Sequence, residues 1–205
     1  MVEALTRALY RLSLLVALLA VPSTVFAHRD DEYLQATLVT IEPNGILLQI
    51  NLTPGIAVAE QVIARIDRDR DDVISADEAS AYVESLTRDL TLRLDGRNVE
   101  LKRTGSEFVS PEELRTGSGI IRIEFSTKLA ALLSGTHKLT LENRHLTTIS
   151  VYLINAAQPK LATIQITGQK RNDTQSVGEI EFTFHPLSRM FLRPLGRIEF
   201  AESSR

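Results

Sequence analysis

Between Glu179 and Phe184, the apolar residues Ile180, Phe182 and Phe184 alternate with Glu179, Glu181 and Thr183. A period of two places the first set on one face of a strand and the second set on the other. A chain that repeats it must build sheets with one buried face. The pattern does repeat. It is loose around Leu34 to Ile41, after which Pro43-Asn44-Gly45 turns into Ile46 to Leu52, which reads as a hairpin. Leu90, Leu92 and Leu94 alternate with Thr91, Arg93 and Asp95. The favoured tight-turn pair Asp95-Gly96 then leads to a return strand begun by Val99 and Leu101. Strands over 119–126, 138–143, 150–154, 163–169 and 179–184 complete the set. Many short, half-buried strands separated by turn residues predict a mainly β fold, an antiparallel sandwich of the immunoglobulin-like kind. A partly open barrel is the alternative, because hairpin patterns do not fix which sheet each strand joins.

From about residue 56 to residue 88 the period changes. Val58, Val62, Ile63 and Ile66 fall on one helical face, and Ala79, Tyr82, Val83 and Leu86 fall on another. Between them lies DRDRDDVISADE, Asp67 to Glu78, with seven acidic or hydroxyl-bearing oxygen donors spread through twelve positions. A helix, an acidic loop and a second helix are thus inserted into a β domain. A merely solvated charged run does not require Asp67, Asp69 and Asp71 in strict alternation. Side chains at alternate positions of a tight loop converge on one point, which is what a hard cation needing about seven oxygens requires.

The stretch resembles an EF-hand calcium loop over about 30 residues, counting the flanking helices. On that resemblance Asp67, Asp69 and Asp71 stand at positions 1, 3 and 5, and Val73 at position 7 offers its carbonyl. Ser75 stands at position 9 and Glu78 at position 12, where a carboxylate binds with both oxygens. Ile74 is the apolar plug between the helices. Ser75 and Glu78 also have capping-box spacing, so Glu78 has two available roles, cap and ligand. The sequence departs from the pattern at position 6, where Asp72 replaces the usual glycine at a backbone position needing positive φ, and at position 13, where Ala79 is small. The implied cofactor is Ca2+. With one such loop, the ion is expected to be structural or regulatory within a binding or interaction module.

The N-terminus has Arg7 and Arg11, an apolar stretch from Leu12 to Val21, and Val25-Phe26-Ala27. This is the form of a signal peptide over 1–27, too short for a stable membrane anchor. Cleavage there leaves a domain over 28–187, with the insertion at 56–88, and a tail over 188–205. It removes two basic residues and one acidic, leaving 21 basic against 25 acidic. A mildly acidic domain is a poor nucleic-acid binder. The chain has no cysteine, which excludes disulfides, thiolate metal sites and thiol nucleophiles. No G-x-S-x-G, H-E-x-x-H or phosphate-cradling glycine loop supports an enzyme. An extracytoplasmic location, bacterial periplasm or secreted, is expected.

His28 would become the mature N-terminus, where its α-amino group and imidazole together could chelate a transition metal such as nickel, cobalt or copper. His145 is a candidate partner for it, with a loop or edge histidine as the plainer alternative. His137 and His185 read as turn residues. The order AHRDDEYLQATLV, INLTPGIAV, one EF-hand, DLTLRLDG and ENRHLTTISVYLINA looks like the extracytoplasmic N-terminal domain of some bacterial membrane proteins of the nickel/cobalt-transporter type. That resemblance spans nearly the whole mature chain. It implies a periplasmic or exported metal-related accessory whose partner is a membrane transporter or another envelope protein. Transport itself is not implied, since no run in the mature chain reaches spanning length.

Overall fold

The computed structural model describes residues 30–129 and 132–186. The expected signal segment, His28 and the tail over 188–205 lie outside the described residues. β1 (Tyr33–Glu42) and β2 (Gly45–Pro54) form the first hairpin, with Tyr33 opposite Pro54 and Glu42 opposite Gly45. Together with β5 (Lys102–Glu107), β6 (Ile121–Lys128) and β8 (Ser150–Ala156) they make a five-stranded sheet of order β5-β6-β2-β1-β8. The second sheet has order β4-β3-β7-β10-β9. Its strands are β3 (Leu90–Leu94), β4 (Arg97–Val99), β7 (Gly135–Asn143), β9 (Ile164–Arg171) and β10 (Val177–Phe184). The fold is mainly β and sandwich-like, with one apolar cluster drawing on both sheets. Ile46, Leu48, Ile50, Ile123 and Phe125 enter it from the first sheet, and Leu92, Leu139, Leu141, Ile180 and Phe182 from the second.

The return strand after Asp95-Gly96 is β4, which ends at Val99, short of the expected Leu101, and two further strand features differ from the sequence expectation. β8 pairs with β1 in parallel, Tyr33 beside Ser150 and Val39 beside Ala156, so the first sheet is mixed. β8 follows β7 in the other sheet and crosses over before pairing, and that crossover brings it in along β1. The other difference is β5, KRTGSE, an edge strand on β6 with hardly a buried residue. Its polar composition erases the period-two signal. A charged, bulged edge of this kind also discourages pairing with another chain. The two sheets approach closely at Gly178 of β10, where an added Cβ would lie 2.6 Å from Ile154 Cγ2 on β8.

The helical insertion forms as α1 (Ala59–Ile66) and α2 (Ala76–Asp89). α1 buries Ala59, Val62, Ile63 and Ile66, and α2 buries Tyr82, Val83 and Leu86. Full burial of a large aliphatic side chain contributes about 1.5–3 kcal/mol. The face of α1 alone therefore secures it to the sandwich. α2 ends at Asp89 and continues directly into β3, which leaves no slack between helix and sheet. A third helix, α3 (Pro111–Arg115), lies in the β5–β6 connection and packs on α1 and β2. Pro111 at its start and the Ser110–Glu113 capping box set its N-terminus. No helix among the described residues is long and apolar enough to cross a membrane.

Candidate metal centre

The loop between α1 and α2 begins at Asp67, whose N–H closes α1 on the Ile63 carbonyl at 2.8 Å. Asp67 is buried, 4 % exposed, because its carboxylate folds inward over the loop backbone. Its Oδ1 accepts the Arg70 N–H at 2.7 Å and its Oδ2 accepts the Asp72 N–H at 3.0 Å. Asp69 Oδ1 accepts the Asp71 N–H at 3.3 Å, and Asp71 Oδ1 accepts the Val73 N–H at 2.9 Å. Asp67 thus turns the chain with both oxygens, and Asp69 and Asp71 with one each. One carboxylate oxygen each from Asp67, Asp69 and Asp71 lies within 4.8 Å of the others. Arg70 and Asp72 take positive φ, 62° and 67°, which lets the loop curl so tightly. Val73 is exposed, and Ile74 is half-buried against the core.

Ser75 and Glu78 are held differently. Ser75 is the N-cap of α2, accepting the Glu78 N–H at 3.3 Å and donating its hydroxyl to Glu78 Oε2 at 2.7 Å. Glu78 Oε2 also accepts the Ser75 N–H, and Oε1 accepts the Arg68 N–H at 2.6 Å, tying loop exit to loop entry. So three of the expected ligands are gathered, while Ser75 and Glu78 form the capping box one step away. The Ser75 hydroxyl, with backbone N–H groups of Ser75 and Arg68, pulls the Glu78 carboxyl down to about 2. Asp69 is pushed up, by desolvation and by the like charges of Asp71 and Glu78, against the Asp71 N–H that lowers it. That crowding of negative charge is what a cation relieves.

Arg115, the last residue of α3, reaches into this region from another part of the chain. Its Nε donates to Glu60 at 2.6 Å and its Nη2 to Asp72 at 2.7 Å, bridging the first turn of α1 and the loop. The Arg115 hydrogen bond holds the Asp72 carboxyl below its ordinary range.

His145, the proposed transition-metal partner, lies in the core with 1 % of its side chain exposed. Its Nδ1 is 2.7 Å from an Asp89 oxygen and its Nε2 is 3.1 Å from the Tyr82 hydroxyl. A carboxylate only accepts, so Nδ1 carries the proton and Nε2 of the neutral ring accepts from Tyr82. The Tyr82 oxygen in turn accepts from Tyr33, 2.7 Å away. Both ring nitrogens are engaged, and ligation would break one of these bonds. The backbone of His145 is equally occupied. Its carbonyl accepts from Gln35 Nε2 at 2.8 Å and from the Tyr152 hydroxyl at 2.9 Å, and its N–H reaches Asn143 Oδ1 at 2.9 Å. Asn143 Nδ2 donates to Gln35 Oε1 at 2.8 Å and closes the network. Sequence reasoning singled out neither Arg115 nor Tyr33, Gln35, Asp89 and Asn143. The one available signal was polar residues at inward positions of otherwise apolar strands, Gln35 and Asn143 above all.

His137 lies on β7, with Nδ1 2.7 Å from Asp95 and Nε2 2.8 Å from the Leu133 carbonyl. Two acceptors on one imidazole favour the doubly protonated ring, which also stacks on Phe182 with centroids 5.3 Å apart.

Compared with known proteins, the chain matches no family model and no curated protein.

Proposed function

We propose that this protein is an exported, non-enzymatic calcium-binding sandwich, immunoglobulin-like in kind, whose helical insertion is an EF-hand. Calcium staples α1 to α2 and so presents the insertion to a partner, a membrane transporter or another envelope protein. The observation that carries the reading is the convergence of the Asp67, Asp69 and Asp71 oxygens within 4.8 Å of one another on a loop between two helices. The donor set fits the ion: hard carboxylate oxygens on a tight loop, and a second-helix glutamate at the spacing that supplies two more oxygens. Asp67, Asp69, Asp71, the Val73 carbonyl, Ser75 and Glu78 would hold it, with Glu78 turning from its capping contacts toward the ion. Mg2+ demands a smaller, near-octahedral shell of about six oxygens, fewer than the about seven these residues offer.

The structural role follows from where the helices go. α2 carries Glu78 on its first turn and Tyr82 one turn later, where Tyr82 meets both Tyr33 of β1 and His145. Fixing the start of α2 therefore steadies a buried network that joins both sheets. Thermal melting with excess calcium and with a chelator tests the reading. A ligand at about 100 times its dissociation constant stabilises by about 2.7 kcal/mol. A rise in melting temperature with calcium, absent in the Asp67→Ala, Glu78→Gln double variant, is the expected outcome. Equal melting in both conditions counts against it. The transition-metal alternative draws on His28 and the sequence likeness alone, and the engaged nitrogens of His145 lend it no support.

A further inference from the structure

We infer that Arg115 is a positioning residue for the acidic loop: from α3, outside the helix–loop–helix, it holds Asp72 in the left-handed conformation on which the loop's shape depends. This rests on the calcium reading above.

Asp72 has φ of 67° and occupies the tightest part of the loop, its N–H donated to Asp67 Oδ2 at 3.0 Å. With the Arg70 N–H on Oδ1, that hydrogen bond holds the Asp67 carboxylate over the loop beside Asp69 and Asp71. Residues other than glycine reach positive φ at a cost, and they stay there when their surroundings hold them. The surroundings here are specific. Arg115 Nη2 grips Asp72 Oδ1 at 2.7 Å while Nε grips Glu60 at 2.6 Å, so one guanidinium bridges two carboxylates at once. A glycine at this position would need no such grip, and asparagine or alanine would offer no carboxylate to it.

The anchor behind the grip is firm. Leu114, adjacent to Arg115, is fully buried, and the α3 N-terminus is fixed by the Ser110–Glu113 capping box. Gly119 lets the following chain pass so near that an added Cβ would sit 2.8 Å from the Glu113 carbonyl carbon. The side chains of Asp72 and Glu60 are 61 % and 70 % exposed, and surface ion pairs contribute little to global stability. A pair that does little for the global fold, yet spans 43 and 55 residues to reach one strained position, is placed to shape the loop.

The sign of the effect separates this role from simple charge. If Arg115 acted only as a nearby cation it would repel calcium, and its removal would tighten binding. As a positioning residue its removal weakens binding, and glycine at 72 restores it. The experiment uses the full chain as wild type, Arg115→Lys, Arg115→Gln, Asp72→Gly and the Arg115→Gln, Asp72→Gly double variant. Calcium affinity is measured by calorimetry, and exchange of the Asp72 amide is measured in chelator. Losing control of one left-handed residue, at about 1 kcal/mol or more, corresponds to about fivefold or more in affinity. Both Arg115→Gln and the charge-conserving Arg115→Lys should lose that much, since an ammonium cannot fork to two carboxylates. The double variant should return to within about threefold of wild type, a rescue that a merely stabilising role does not give. In chelator, Arg115→Gln should speed exchange of the Asp72 amide about threefold or more. Unchanged or tighter calcium binding in Arg115→Gln, or no rescue by glycine, overturns the inference. Should wild type take up no calcium, the functional reading fails by itself. The Asp72 exchange rate then decides the positioning role alone, with an unchanged rate refuting it.

Discussion

The hydroxyls of Tyr33 on β1 and Tyr82 on α2 meet at 2.7 Å inside the core, 49 residues apart in the chain. Tyr82 stands between a donor and an acceptor: it receives from Tyr33 and gives to His145 Nε2. Burial raises the pKa of both phenols, Tyr33 well above its ordinary value, so neither supplies a charge at physiological pH. The pair is a neutral hydrogen-bonded bridge between the helical insertion and the first sheet.

Tyr82→Phe strands both the Tyr33 hydroxyl and His145 Nε2 in the core, whereas Tyr33→Phe removes a donor and leaves the Tyr82–His145 bond intact. Leaving a buried polar group unpaired costs about 1–3 kcal/mol. Urea unfolding should place Tyr82→Phe about 2–4 kcal/mol below wild type and Tyr33→Phe about 1 kcal/mol below it. The reverse order would mean that the proton arrangement assigned to the network is wrong.

The two structural histidines should titrate on opposite sides of the ordinary 6.5. For His145, burial disfavours the imidazolium and outweighs the Asp89 carboxylate, so its pKa is lowered. The folded state then binds fewer protons than the unfolded state just below pH 6.5, and stability falls as pH drops through that window. For His137, burial also pulls downward, but the Asp95 carboxylate and the Leu133 carbonyl overcome it and raise the pKa. Its contribution is present below pH 6.5 and is lost as pH rises through the higher folded value. Proton NMR of the ring resonances gives both values, and His145 titrating above His137 would contradict the assignment. His137→Gln should also remove the loss of stability on the alkaline side.

At Gly178 the sheets leave no room for a methyl group, with Ile154 Cγ2 at 2.6 Å from the position of a Cβ. Gly178→Ala should therefore destabilise by about 1–3 kcal/mol, the usual result of overpacking a core. Ile154→Ala removes the clashing Cγ2, so Gly178→Ala should cost less in that background than in wild type. If Gly178→Ala melts like wild type, the close approach of β8 and β10 is not a constraint.

Features carried by neighbouring residues were legible in the sequence, and features carried by distant ones were not. Asp67, Asp69, Asp71 and Glu78 announce the loop because their spacing is local, and the β1–β2 hairpin is visible for the same reason. The capping box of Ser75 and Glu78 was legible too, and the structure places both residues there. Polar β5 carries no periodic signal, and the parallel pairing of β1 with β8 depends on a crossover that periodicity does not encode. The partners of His145 are drawn from β1, α2, β7 and β8, up to 110 residues away. Arg115 reads locally as the end of a short helix. Its reach to Asp72 and Glu60 appears only once α3 is packed on α1.

Calcium titration by calorimetry, comparing wild type with the Asp67→Ala, Glu78→Gln double variant, tests the central claim most directly. Wild type should bind one ion with a dissociation constant on the order of 10⁻⁴ to 10⁻³ M, as extracellular calcium modules do. The double variant should show no saturable uptake in that range. No binding by wild type at millimolar calcium, or equal uptake by the double variant, would contradict the assignment of Asp67, Asp69, Asp71 and Glu78 to a calcium site.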